Sequence, residues 1–122
     1  MDWRIELIYV PVSDVDRAKE FYTRVGFHPD HDETPYQGLR FVQMTPPGSA
    51  CSIAFGTNLG IDLEPGRQST IQVVVPDAEA ALAHLREVGA DAEGVEEQAW
   101  GRFVTFRDPD GNRWTLQQLP AR

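Results

Sequence analysis

The sequence predicts an α+β fold built from two tandem βαβββ modules. Three observations carry this reading. The chain matches itself at an offset of 63 residues; each half opens with an Ile/Val-rich run leading into a helix-patterned stretch; and each half then breaks into short strand-like segments around Pro/Gly turns. At that offset Ile8, Val10, Val12 and Asp14 meet Ile71, Val73, Val75 and Asp77, while Ala18, Val25 and Gly26 meet Ala81, Val88 and Gly89. Glu33, Gly38, Pro46 and Gly48 carry the match onto Glu96, Gly101, Pro109 and Gly111, giving 11 identities without a gap.

The elements follow in chain order. Residues 5–12 and 70–75 read as strands because they are dense in β-branched side chains. Asp14 and Asp77 are expected N-caps, their carboxylates accepting the free N–H groups of a first helical turn. Behind them Val15, Ala18, Phe21, Tyr22 and Val25 fall at helical spacing, as do Ala78, Ala81, Leu82, Leu85 and Val88. Gly26 and Gly89 end the helices, since glycine accepts a left-handed conformation. In the second half, strands at 102–107 and 112–118 flank the hairpin turn Asp108-Pro109-Asp110-Gly111. Strands at 39–44 and 50–55 flank Thr45-Pro46-Pro47-Gly48 in the first. A further strand in each half is expected near 29–32 and 92–95. One domain of 122 residues results, with module one at 1–57, a linker at 58–68 and module two at 69–122.

Composition removes several classes of function. Hydrophobic residues at 41% and aromatics at 10% supply a core, which excludes wholesale disorder. The net charge of −8 divides into −4 per half and argues against nucleic acid or an anionic membrane as partner. Cys51 is the only cysteine, so neither a disulfide nor a cysteine-rich zinc site is expected. No apolar run approaches the roughly 20 residues that cross a bilayer. Met1 leads directly into Asp2 and Arg4, so no secretory leader is expected and the protein reads as cytoplasmic.

Val12-Ser13-Asp14 leading into Glu20-Phe21-Tyr22 and Val25-Gly26-Phe27, with Phe106-Arg107-Asp108-Pro109-Asp110-Gly111-Asn112 near the end, resembles the vicinal oxygen chelate superfamily. That group includes glyoxalase I, extradiol dioxygenases, fosfomycin-resistance enzymes and bleomycin-resistance proteins. The resemblance spans essentially the whole chain. It implies curved mixed sheets forming a cup, with modules paired within the chain or exchanged in a homodimer. It also implies where a metal would sit: seven residues before each capping Asp and four after each hairpin glycine. Those positions are Leu7, Thr70, Ser52 and Thr115. Leu, Thr and Ser replace the usual His and Glu, so no metal and no cofactor are expected. Neighbouring registers, such as Glu6, Cys51, Ser69 and Trp114, do not restore the set.

Strand alternation then lines the cup. Leu7, Tyr9 and Pro11 face inward if Ile8, Val10 and Val12 face the helix. Thr70, Gln72 and Val74 follow the same parity, and so do Ser52, Ala54, Arg113, Thr115 and Gln117. Trp100 is placed at the rim, able to stack on a flat ligand. Asp30, Asp32, Glu33, Asp91, Glu93, Glu96 and Glu97 are expected around the same loops, where they would attract a cation. His28, His31 and His84 read as surface or locally bonded residues. Cys51 reads as a small strand residue, and no spacing selects a catalytic pair. The expected function is binding of a small aromatic or cationic molecule, a metabolite or an antibiotic. The alternative is a lyase, isomerase or dioxygenase with an atypical metal site or none.

Overall fold

The computed structural model describes residues 1–121. Each half opens on a short strand, β1 (Leu7–Tyr9) and, in the second half, β5 (Ile71–Val74). Both are briefer than their Ile/Val runs. Pro11 and Pro76 have no N–H to donate, so ladder pairing cannot extend through them. The last ladder bonds before the prolines are Val10 N–H to Ala54 O and Val75 N–H to Gln117 O, each 2.8 Å.

Helix α1 (Val15–Val25) is capped by Asp14, which accepts from the Arg17 N–H at 3.0 Å. Helix α2 (Ala78–Glu87) is capped by Asp77, which accepts from the Ala80 N–H at 3.1 Å. Gly26, at φ +120°, closes α1 through its N–H to Tyr22 O and Thr23 O. Three antiparallel strands follow in each half: β2 (His28–Tyr36), β3 (Leu39–Thr45) and β4 (Ser52–Thr57), then β6 (Asp91–Gln98), β7 (Gly101–Arg107) and β8 (Arg113–Gln118). Strands β2 and β6 are longer than their sparse apolar content suggested. They are exposed edge strands, held by the ladder to β3 and β7 rather than by burial.

Two four-stranded mixed sheets result, ordered β1-β4-β3-β2 and β5-β8-β7-β6. In both, the first strand runs parallel to the last and the other pairings are antiparallel. The α+β class and the βαβββ element order thus agree with expectation. One core joins the halves. Val42, Met44, Ile53 and Phe55 of the first sheet, Val104, Phe106, Trp114 and Leu116 of the second, and Phe21, Tyr22, Leu82 and Leu85 of the helices form a single buried cluster. Trp114 stacks on Phe106 at 5.7 Å and meets Tyr22 edge-on at 5.9 Å.

The second hairpin also fastens the halves together. Tyr22 donates its hydroxyl to Asp108 Oδ2 at 2.7 Å, and the Trp114 indole N–H donates to the Tyr22 oxygen at 3.1 Å. Asn112, fully buried, donates Nδ2 to Pro11 O and to Asp108 Oδ2, both at 2.8 Å. Asp110 accepts from Ser13 Oγ at 2.6 Å and pairs with Arg17 at 3.2 Å. Asp108-Pro109-Asp110-Gly111 is therefore both the expected turn and the clasp between modules.

The gap-free alignment of the halves needs correction. Ile8 sits opposite Ile53, whereas Ile71 sits opposite Trp114, so the closing strands correspond at an offset of 61 rather than 63. Module one carries one extra residue in β2, which has two register shifts where β6 has one. The second extra residue lies in the longer loop between β3 and β4. Among the described residues, no helix is long and apolar enough to cross a membrane.

Candidate functional site

Each sheet has one face packed on the helices and one face left open. Val10, Val42, Met44, Ile53 and Phe55 point inward on the first sheet and are essentially buried. The alternate residues face away. On the first sheet this open face carries Leu7 opposite Ser52, Tyr9 opposite Ala54, and Gln43 and Thr45 on β3. On the second it carries Gln72 opposite Thr115 and Val74 opposite Gln117, with Phe103 beside Gln117 and Thr105 beside Thr115. Tyr9 is 46% exposed and Val74 61%, so apolar surface remains uncovered on both.

The expected site residues fall into two groups. Leu7, Tyr9 and Ser52 share the open face of the first sheet. Gln72, Thr115, Gln117 and Arg113 share that of the second, and Thr70 lies just before β5. Trp100 occupies the β6–β7 turn, 62% exposed, and its carbonyl accepts from Gln117 Nε2 at 2.8 Å. Gln117 Oε1 in turn accepts from Gln72 Nε2 at 2.8 Å. Ser52 and Thr115 are not counterparts: in the observed register Ser52 corresponds to Arg113, and Ala54 to Thr115. Pro11 is buried, and its carbonyl accepts from Asn112.

Sequence reasoning missed one cluster. Thr45 Oγ1 lies 2.6 Å from Ser52 Oγ and is also hydrogen-bonded to Asp30 Oδ2. His28 Nε2 stands 3.8 Å from the other oxygen of Asp30. The alternation that picked Ser52 would have picked Thr45 on the neighbouring strand. Asp30 was expected only as one acid of the rim; its place beside Thr45 had no signal, because β2 is irregular between Pro29 and His31.

Three acids of the expected rim, Asp32, Glu93 and Glu97, face an Arg or Lys. Asp32 turns toward the helix side, where Lys19 at 2.8 Å and Arg40 at 2.9 Å engage it. Hydrogen bonds from Arg40 and then Lys19 hold its carboxyl well below the usual carboxylate range. Glu97 pairs with Arg102 at 3.1 Å, and Glu93 lies 3.8 Å from Arg107. His84 bonds the Val25 carbonyl at 2.7 Å. Cys51 precedes β4, half-buried, and burial, then the charge of Glu6, pushes its thiol pKa up, away from nucleophilic thiolate. A half-open cleft of about 480 Å³ also lies between Pro46–Ser49, β5 and α2, lined by Val25, Phe27, Val73 and Trp114.

Residues 4–116 match the family model described as Glyoxalase/Bleomycin resistance protein/Dioxygenase superfamily. The chain belongs to that superfamily. Among solved members, TnmS3, an antibiotic binding protein from Streptomyces sp. CB03234, is 33% identical with a TM-score of 0.87, each chain covered to 98%. A glyoxalase/bleomycin resistance protein from the same organism is 34% identical with a TM-score of 0.82, over 94% of this chain and 100% of that one. The uncharacterized protein YetH of Bacillus subtilis (strain 168) is 25% identical over 94% of this chain and 98% of its own.

Some members of this glyoxalase-like superfamily work through a divalent metal. The residues here do not fit one. Leu7 has no donor atom, Thr70 and Thr115 offer neutral hydroxyls, Ser52 is already hydrogen-bonded to Thr45, and Arg113 is a cation. Among the described residues, no three His, Cys, Asp or Glu side chains converge into a metal-binding group.

Proposed function

We propose that this protein is a metal-independent small-molecule binder that sequesters an aromatic or cationic metabolite or antibiotic against its open sheet faces. Tyr9, Gln72, Trp100, Thr115 and Gln117 are the principal contacts. Leu7, Ser52, Thr70 and Arg113 complete the walls. The observation that carries the reading is the pairing of Leu7 with Ser52, at the positions where the superfamily resemblance leads one to expect metal ligands. The exposed Tyr9 lies beside them, and the second sheet carries the Gln72–Gln117 amides with Trp100 at its turn. The likeness to the antibiotic-binding TnmS3 over nearly the whole chain supports the same reading.

Each open face is one wall of a cup, and a second wall is needed to bury most of a ligand. A homodimer that sets the first-sheet face of one protomer against the second-sheet face of the other supplies two equivalent cups. The protein is cytoplasmic on this reading, consistent with a sequestering role.

Thermal-shift measurements against a panel that includes bleomycin-type drugs, with light scattering at micromolar concentration, test the proposal. Stabilisation by a panel member and a dimeric mass are expected. A transition metal that is stoichiometric and resists dialysis, or turnover without any shift, points instead to a lyase, isomerase or dioxygenase. A monomeric mass removes the two-chain cup.

A further inference from the structure

The hydrogens in the cluster around Ser52 can be placed by elimination. An ionised carboxylate only accepts hydrogen bonds, and a threonine hydroxyl has one hydrogen to give. The contact between Thr45 Oγ1 and Asp30 Oδ2 therefore uses the Thr45 hydrogen. Toward Ser52, 2.6 Å away, Thr45 is left as the acceptor, so Ser52 must donate. The Ser52 oxygen then keeps its lone pairs and has no hydrogen left to offer. No hydrogen bond among the described residues brings it a donor.

Ser52 is only 6% exposed, and its free lone pairs can take a donor that a ligand presents. It stands opposite Leu7 and next to the Tyr9–Ala54 pair, at the start of β4 on the open face. Asp30, at the far end of the relay, adds negative potential behind it.

The second sheet is set differently. The Trp100 carbonyl can only accept, which fixes the Gln117 amide with nitrogen toward Trp100 and oxygen toward Gln72. Gln72 therefore gives one N–H to Gln117 and keeps its own carbonyl oxygen and a second N–H. This wall takes donors and acceptors alike.

We infer that Ser52 is the centre of an acceptor-only subsite that selects ligands presenting a hydrogen-bond donor, a phenol or a protonated amine, and disfavours carboxylates and ether or quinone oxygens. The inference rests on the binding function proposed above and names the ligand chemistry of that site. A ligand with a donor at one end is thereby oriented, donor toward Ser52 and its other polar group toward Gln72.

Calorimetric titration of the full-length protein with four matched probes tests it: 2-naphthol, 2-naphthylmethylammonium, 2-methoxynaphthalene and 2-naphthoate. The first two are expected to bind at least about ten-fold more tightly than the last two. Thr45→Val removes the acceptor that fixes the Ser52 hydrogen, so the preference should shrink toward unity. Ser52→Ala, which deletes one oxygen, should abolish the preference, and it serves if the valine variant fails to fold. Equal or tighter binding of 2-naphthoate overturns the polarity, and an undiminished preference in Ser52→Ala overturns the assignment to Ser52. Absence of binding by all four probes overturns this inference, whereas the proposed function stands or falls on the thermal-shift panel.

Discussion

Tyr22 and Asp108 are 86 residues apart and joined by a buried 2.7 Å hydrogen bond from phenol to carboxylate. Burial, followed by the charge of Asp108, drives the Tyr22 pKa well above the ordinary phenol value, so the hydroxyl stays a donor. Tyr22→Phe removes that donor from a charged, buried acceptor and also orphans the Trp114 indole N–H. The expected loss is about 2 kcal/mol, read as a fall in melting temperature on the order of 5–10 °C. A melting temperature equal to that of the unaltered protein would show that the clasp contributes nothing.

Asp32 gives stability a pH dependence with a definite sign. Arg40 and Lys19 lower its pKa in the folded state, so its contribution is present above about pH 4 and is lost as the pH falls toward the folded value. Asp32→Asn should therefore be less stable than the unaltered protein at pH 7, with the gap narrowing at pH 3. Denaturant midpoints at the two pH values provide the comparison. A gap that is constant or widens in acid contradicts the assignment.

Tyr9 and Trp100 are exposed, so they can be truncated with little effect on folding. Each is expected to contribute stacking of about 1 kcal/mol to a flat ligand. Tyr9→Ala and Trp100→Ala should each weaken a ligand found in the thermal-shift panel by roughly five-fold to ten-fold, with melting temperatures within about 2 °C of the parent. If both variants bind like the parent, these aromatics are not contacts.

Metal ions should leave the protein unmoved. With Leu7, Ser52, Thr70 and Arg113 as the local groups, addition of zinc or nickel, or of a chelator, should shift the melting temperature by less than about 1 °C. A rise of several degrees with a one-to-one ion would mean that other side chains assemble a site.

The fold was legible where local physics and burial agree. Asp14 and Asp77 cap as expected because N-cap chemistry is decided within four residues of chain. Alternation that turns Arg113, Thr115 and Gln117 to the cup leaves Trp114 and Leu116 for the core, and both are buried. The clasp was not legible: Asp108 reads as a turn residue, and nothing local reveals that Tyr22 on α1 reaches it. Asp32 was read as part of an acidic rim, because sequence does not say that Lys19 and Arg40 stand on the same side of β2. Thr45, and the bond that joins Asp30 to it, escaped for a related reason. Their partnership with Ser52 depends on how β2, β3 and β4 are laid side by side, and a bulge in β2 hides that register.

The two single-residue steps separating the halves also mark where this scaffold accepts extra length. One additional residue within a regular strand would turn every following side chain to the opposite face, exchanging core for surface. Here one is absorbed by a bulge in β2 and the other by the loop between β3 and β4, so Ile53 and Phe55 still meet the core as Trp114 and Leu116 do. A peptide tag or reporter inserted within residues 46–51 should therefore be carried without disturbing either sheet, whereas the same insertion at Val42 or Val104 would turn the strand inside out.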